Sequence, residues 1–98
     1  MIQMDIHCQE RAMERYGIYL DKEDIQQISY DIYNGDENVE FLGFLNKNNG
    51  DKVSAWKVKW KDNYIYPLII FDQKRIVTFY TKNMVKQTLK KKGKYYVN

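Results

Sequence analysis

The stretch VSAWKVKWK, Val53 to Lys61, decides the fold. Trp56, Val58 and Trp60 alternate with Lys57, Lys59 and Lys61, the period-two pattern of a strand with one face on a core and the other in water. Downstream, Asp62-Asn63 predicts a turn, and Tyr64 to Phe71 (YIYPLIIF) reads as a central strand, with a bulge or break expected at Pro67, which lacks a ladder donor. Asp72 to Lys74 turns again, and Arg75 to Thr81 (RIVTFYT) gives a last strand. Its alternation places Ile76, Thr78 and Tyr80 on one face and Val77, Phe79 and Thr81 on the other. Upstream, the polar turn NKNNGD (46–51) separates Val53 from a short apolar strand, Val39 to Leu45, with Gly43 in its middle. Four strands joined by short polar turns predict an antiparallel meander.

Before residue 38 the period is near 3.6. Ile25, Ile28 and Ile32 recur at helical spacing behind a start signal, with Asp21 as N-cap, Asp24 in the capping-box position and Leu20 as a staple onto Ile25. Asn34-Gly35 closes that helix. An earlier helix covers Asp5 to Gly17 (DIHCQERAMERYG), where Ile6, Cys8, Ala12, Met13 and Tyr16 form the apolar arc and Gly17 is the stop. After the sheet, Met84, Val85 and Leu89 predict a short basic helix that ends in a frayed tail, LKKKGKYYVN. The expected fold class is α+β: two N-terminal helices packed on a four-stranded antiparallel meander, then a short C-terminal basic helix. One domain spans 1–98, with a helical layer at 1–35, the sheet at 38–81 and the basic helix and tail at 82–98.

The bulk composition fits that size. Among 98 residues, 30% are charged, 44% hydrophobic and nine are tyrosine, which excludes a disordered chain. One cysteine excludes an internal disulfide, and with one histidine it falls short of a zinc quartet. The start, MIQMDIHCQE, has neither a basic region nor an apolar run, and no stretch reaches eighteen apolar residues. A cytoplasmic protein with no membrane partner is expected. Residues 1–50 hold four Lys/Arg against ten Asp/Glu, whereas residues 51–98 hold twelve against three. A basic half of that strength points to a polyanion such as RNA, and the polarity equally fits a dipolar protein that pairs with itself or with a charged protein surface.

The chemistry-bearing residues gather on the first helix. His7, Arg11 and Arg15 recur every fourth residue and form one cationic row, beside a row of Glu10 and Glu14. The ordinary alternative is a solvated helix face. Neither GxxxxGK nor GxGxxG is present, and no cofactor or metal is expected. What remains is the kit of a metal-independent ribonuclease: His7 as general base or acid, Arg11 and Arg15 clamping the phosphate, and the Thr78 or Tyr80 hydroxyl orienting it if their face meets the first helix. Lys57, Lys59 and Lys61, with Lys82, Lys86, Lys90, Lys91 and Lys92, form a candidate nucleic-acid track, or else they blunt a sheet edge against aggregation. Trp56, Trp60 and Cys8 read as core.

The order H-x3-R-x3-R-Y-G-I on a first helix, then a second helix and a four-stranded sheet ending in I-V-T-x-Y, resembles small phage and bacterial proteins of the BECR type. That group takes in barnase, EndoU, colicin tRNases and RelE-like toxins. The resemblance covers residues 4 to 81 as an order of elements, and His7, Arg11, Arg15, Tyr16, Gly17, Thr78 and Tyr80 as positions. It implies toxin-like RNA binding or RNA cleavage without metal, often beside an antitoxin or in a prophage. The rival expectation is a non-enzymatic phage-encoded inhibitor or binding protein that acts on a host or defence nuclease or its nucleic-acid complex.

Overall fold

The computed structural model describes residues 6–46, 52–70 and 75–92. Two helices, α1 (Ile6–Tyr16) and α2 (Lys22–Asn34), precede strands β1 (Val39–Asn46), β2 (Lys52–Trp60), β3 (Asn63–Ile70) and β4 (Arg75–Tyr80), and helix α3 (Lys82–Lys92) follows. The strands form one antiparallel sheet in the order β1-β2-β3-β4. The predicted α+β class and meander are therefore observed. Of the turn expected at 46–51, Asn46 instead ends β1, paired with Lys52, and the rest, with the turn at 72–74 and the tail at 93–98, lies outside the described residues.

Helix α2 begins where its sequence directs. The Asp21 carboxylate accepts the Asp24 amide at 2.8 Å, and the Asp24 carboxylate accepts the Asp21 amide at 3.1 Å, so two otherwise orphaned donors are satisfied reciprocally. At its far end Gly35 is left-handed, with φ 67°, and its amide reaches the Asp31 and Ile32 carbonyls. Nothing lies within 4 Å of where a Cβ would stand, so glycine is needed there for its backbone conformation and not for space.

The sheet is covered on both sides. Cys8 and Ala12 of α1, Leu20, and Ile25, Ile28 and Ile32 of α2 are buried against Val58, Ile65, Ile69, Ile76 and Phe79. On the opposite face, Val85 of α3 closes over Leu45, Val53, Ala55, Tyr66, Leu68 and Ile70. Residues Ile65 to Ile70 are buried throughout because β3 lies between the two cores. That position explains why its sequence is a continuous apolar run where β2 alternates. Trp56 and Trp60 are half-buried and pack on the α1/α2 core, and Cys8 is only 1% exposed.

Two bulges reset the side-chain phase. In β1 the register slips between Phe41 and Gly43, so Leu42 is the extra residue and Phe41 and Phe44, three apart, stand on one face. In β4 the register slips opposite Leu68/Ile69. This corrects the predicted alternation there: Ile76 and Phe79 face α1 and α2, whereas Val77 and Tyr80 pack on the α3 side. Thr78, paired with Leu68, shares the Tyr80 face. β3 continues through Pro67, which pairs with Phe79 on β4, but on the β2 side Tyr66 and Pro67 have no ladder partners, a local break of the kind expected there. The β2–β3 connection is a two-residue turn in which Lys61 (φ 46°) and Asp62 (φ 67°) are both left-handed, the type I′ geometry that matches strand twist.

Candidate nucleic-acid interface

Helix α1 distributes the three predicted cationic groups to different partners. His7 Nδ1 lies 3.6 Å from Glu10 Oε2, and Arg11 Nη1 lies 2.9 Å from Glu14 Oε2, each pair i,i+3. The diagonal pairing crosses from the cationic to the acidic row and relieves the like-charge stacking within each. Arg15 Nη1 instead donates to the Phe79 carbonyl at 2.8 Å, and its guanidinium carbon stands 5.7 Å from the centre of the Tyr80 ring. His7 and Arg15 are separated by eight residues, about 12 Å along a helix axis. Thr78 and Tyr80 stand on the sheet face opposite α1, so of the five proposed catalytic residues only Arg15 and Tyr80 are brought together.

Beside Arg15, Tyr16 has a structural task. Its hydroxyl donates to the Tyr80 carbonyl at 2.5 Å and accepts the Tyr66 amide at 2.8 Å, bridging two residues that are register partners on β3 and β4. Burial pushes the Tyr16 hydroxyl well above the usual tyrosine range, and the Tyr66 amide and the Arg15 charge offset only part of that rise. The R-Y-G segment therefore anchors the end of α1 to the end of the sheet. Gly17, at φ 68°, ends the helix there and donates its amide to the Met13 carbonyl at 2.9 Å.

The lysines have a different address. By the alternation of β2, Lys57 and Lys59 project on the α3 side of the sheet, together with Tyr64, which pairs with Lys59. Lys57 Nζ lies 4.5 Å from the centre of the Tyr64 ring, and Lys61 Nζ lies 5.5 Å from that of Trp60. Lys82 and Lys86 are exposed on α3, on the same side, while Val85 between them faces the core. The side chains of Lys90, Lys91 and Lys92 lie outside the described residues. Glu10, Glu14, Asp21 and Glu23 are exposed on α1, the segment joining it to α2, and α2, across the sheet. The charge asymmetry between sequence halves is thus carried in part to opposite faces of the sheet, with Glu37 and Glu40 as acidic residues on the lysine side.

A shallow cleft of about 210 Å³ opens beside these lysines, lined by Glu37, Asn38, Val39, Glu40, Lys57, Lys59 and Tyr64. Asn38 is oriented by its Nδ2, which donates to the Lys59 carbonyl at 3.1 Å, and its Oδ1 is buried with no hydrogen-bond partner. Neither Glu37 nor Glu40 forms an ion pair among the described residues, although Glu40 is the direct cross-strand partner of Lys57. The sequence reading missed Glu37, Asn38, Glu40 and Tyr64. Three of them precede the basic half of the chain, and only the pairing of β1 with β2 delivers them to the lysines. A second cleft, about 220 Å³, lies between α2 and the sheet and is lined by Ile32, Tyr33, Ser54, Trp56 and Ile69. Its walls are largely apolar and offer little to an anion.

Among the described residues no group of three His, Cys, Asp or Glu is placed to hold a metal ion, and no helix is long and apolar enough to cross a membrane. No family model matches the chain, and neither a curated protein nor a solved structure matches it.

Proposed function

We propose that this protein binds single-stranded RNA on the α3 side of its sheet, with Lys57, Lys59, Lys82 and Lys86 contacting phosphates and Tyr64 offering a ring for base stacking. One observation carries the reading: the Lys57 ammonium stands over the exposed Tyr64 ring, with Lys59 beside it and Lys82 and Lys86 exposed on the same side of the sheet, while the exposed carboxylates of α1 and of the start of α2 lie on the other side. Lys57 and Lys59 project from the same strand face two residues apart, about 7 Å at the usual rise per residue, so they can track an extended backbone. The start of α3 adds to the positive potential, because its first turn holds Lys82 and no acidic residue. Cleavage has weaker support than binding, since Arg11 is paired with Glu14 and Arg15 is committed to the Phe79 carbonyl. The acidic helical layer favours a second reading, docking of a basic protein such as a nuclease, without catalysis.

The test is fluorescence anisotropy of labelled ten-nucleotide RNAs titrated with the protein at several salt concentrations. Binding whose logarithm falls linearly with log salt, and which weakens at least tenfold in a Lys57→Ala, Lys59→Ala, Lys82→Ala variant, supports the reading. Absence of binding at low salt overturns it and favours the protein-docking alternative. The same incubations in EDTA report cleavage, and loss of any cleavage in His7→Ala would return the α1 row to a catalytic role.

A further inference from the structure

We infer that the cleft formed by Glu37, Asn38, Glu40 and Tyr64 is a base-selective subsite that accepts nucleobases bearing an exocyclic amino group and disfavours uracil. The inference rests on the RNA-binding reading and adds specificity to it.

Carboxylates are out of place on a surface that holds phosphates. Each one repels the backbone, and a lysine directly across the ladder would ordinarily neutralise it. Here Glu40 has such a neighbour in Lys57, yet Lys57 places its ammonium over the Tyr64 ring, and Glu37 and Glu40 line the cleft without ion pairs among the described residues. A further acceptor and an aromatic ring share the site. The Asn38 amide is held with its nitrogen on the Lys59 carbonyl, which leaves its oxygen as the group without a partner. Tyr64, 54% exposed, forms one wall. The cleft therefore combines a stacking ring with hydrogen-bond acceptors, and Lys57 and Lys59 line it to take the flanking phosphates.

An ionised carboxylate only accepts hydrogen bonds. Adenine N6 and cytosine N4 amino groups donate, and their protons complete a charge-assisted bond of the stronger class. Uracil presents a carbonyl oxygen at the position where cytosine has its amino group, and its one donor on that edge, N3–H, lies between two carbonyl oxygens, so a carboxylate that reaches the donor meets oxygen on either side. A base that stacks on Tyr64 with its Watson–Crick edge toward Glu37 and Glu40 is thus sorted by whether that edge carries an amino group. Lys57 leaves the ring for the adjacent phosphate as the base enters.

The experiment measures anisotropy-derived affinities of the full chain for ten-nucleotide homopolymers of adenosine, cytidine and uridine, alongside Glu37→Gln and Glu40→Gln variants whose folding is checked by circular dichroism. The expected result is at least about fivefold tighter binding of the adenosine and cytidine oligomers than of uridine, a preference reduced to about twofold or less in Glu40→Gln or Glu37→Gln, with uridine binding unchanged or tighter. Equal binding of all three oligomers by the wild type overturns the inference while leaving RNA binding intact. So does a preference that survives both variants. If no oligomer binds at low salt, the RNA reading itself fails and the base selectivity falls with it.

Discussion

Tyr16 accepts the backbone amide of Tyr66 at 2.8 Å and so reaches from the last turn of α1 into the β3–β4 ladder, next to the proline that has no amide to give. Its replacement by Phe keeps the ring on Phe79, where the centroids lie 6.0 Å apart, and removes only the bridge. The Tyr66 amide and the Tyr80 carbonyl would then lose a buried partner, a loss of about 1–3 kcal/mol. Urea unfolding of Tyr16→Phe should show a lower midpoint with an unchanged slope, while Tyr19→Phe, at a residue 64% exposed, should overlay the wild type.

The same hydroxyl gives a pH signature. Burial raises its folded-state pKa above the ordinary value near 10, so the unfolded chain releases this proton first as pH rises. The stabilisation it contributes is complete below that ordinary value and is lost progressively above it, toward the raised folded-state value. Between pH 10 and pH 12, given as about the window the shift defines, wild-type stability should fall more steeply than that of Tyr16→Phe. Parallel slopes in urea titrations across that window would remove the assignment.

Arg15 and Arg11 separate a structural guanidinium from a surface one. Arg15→Ala deletes a charge-assisted bond to the Phe79 carbonyl and should destabilise by about 1.5–3 kcal/mol. Arg11→Ala breaks an exposed i,i+3 pair with Glu14 and should change stability by less than about 0.5 kcal/mol. Thermal melts of the two variants side by side decide it, and equal losses would place Arg15 outside the role described.

At the β2–β3 turn, Lys61 occupies a left-handed conformation that its side chain disfavours. The pair Lys61→Asn, Asp62→Gly supplies the residues that a type I′ turn prefers and should raise stability by about 0.5–1 kcal/mol. Gly35→Ala is the converse test. Open space surrounds the added methyl, so the expected loss of about 1 kcal/mol is entirely backbone strain.

Much of this fold is legible in the chain, because local signals and burial agree. The alternation of Trp56, Val58 and Trp60 places β2, and Asp21, Asp24 and Gly35 bound α2 to within a residue. The phase of β4 was not legible, since nothing in RIVTFYT marks Val77 as the extra residue of a bulge. Nor was the side of the sheet that α3 covers, although the continuous burial of Ile65 to Ile70 requires a second layer once it is seen. The α1 row illustrates the same limit for function. Spacing aligns His7, Arg11 and Arg15, but Arg15 is claimed by a carbonyl 64 residues away in sequence, which no local pattern encodes. Glu40 joins Lys57 by the same long-range route.

The contacts of α1 with β4 also bear on where a further strand could add to the sheet. Cys8 donates to the Ile76 carbonyl at 3.2 Å, Arg15 to that of Phe79, and Tyr16 to that of Tyr80. An extended chain arriving at the β4 margin would have to evict a packed helix before it could template on those oxygens. Assembly by strand addition is thereby directed to the β1 margin, where the Leu42 bulge already disturbs the ladder an incoming strand would have to follow.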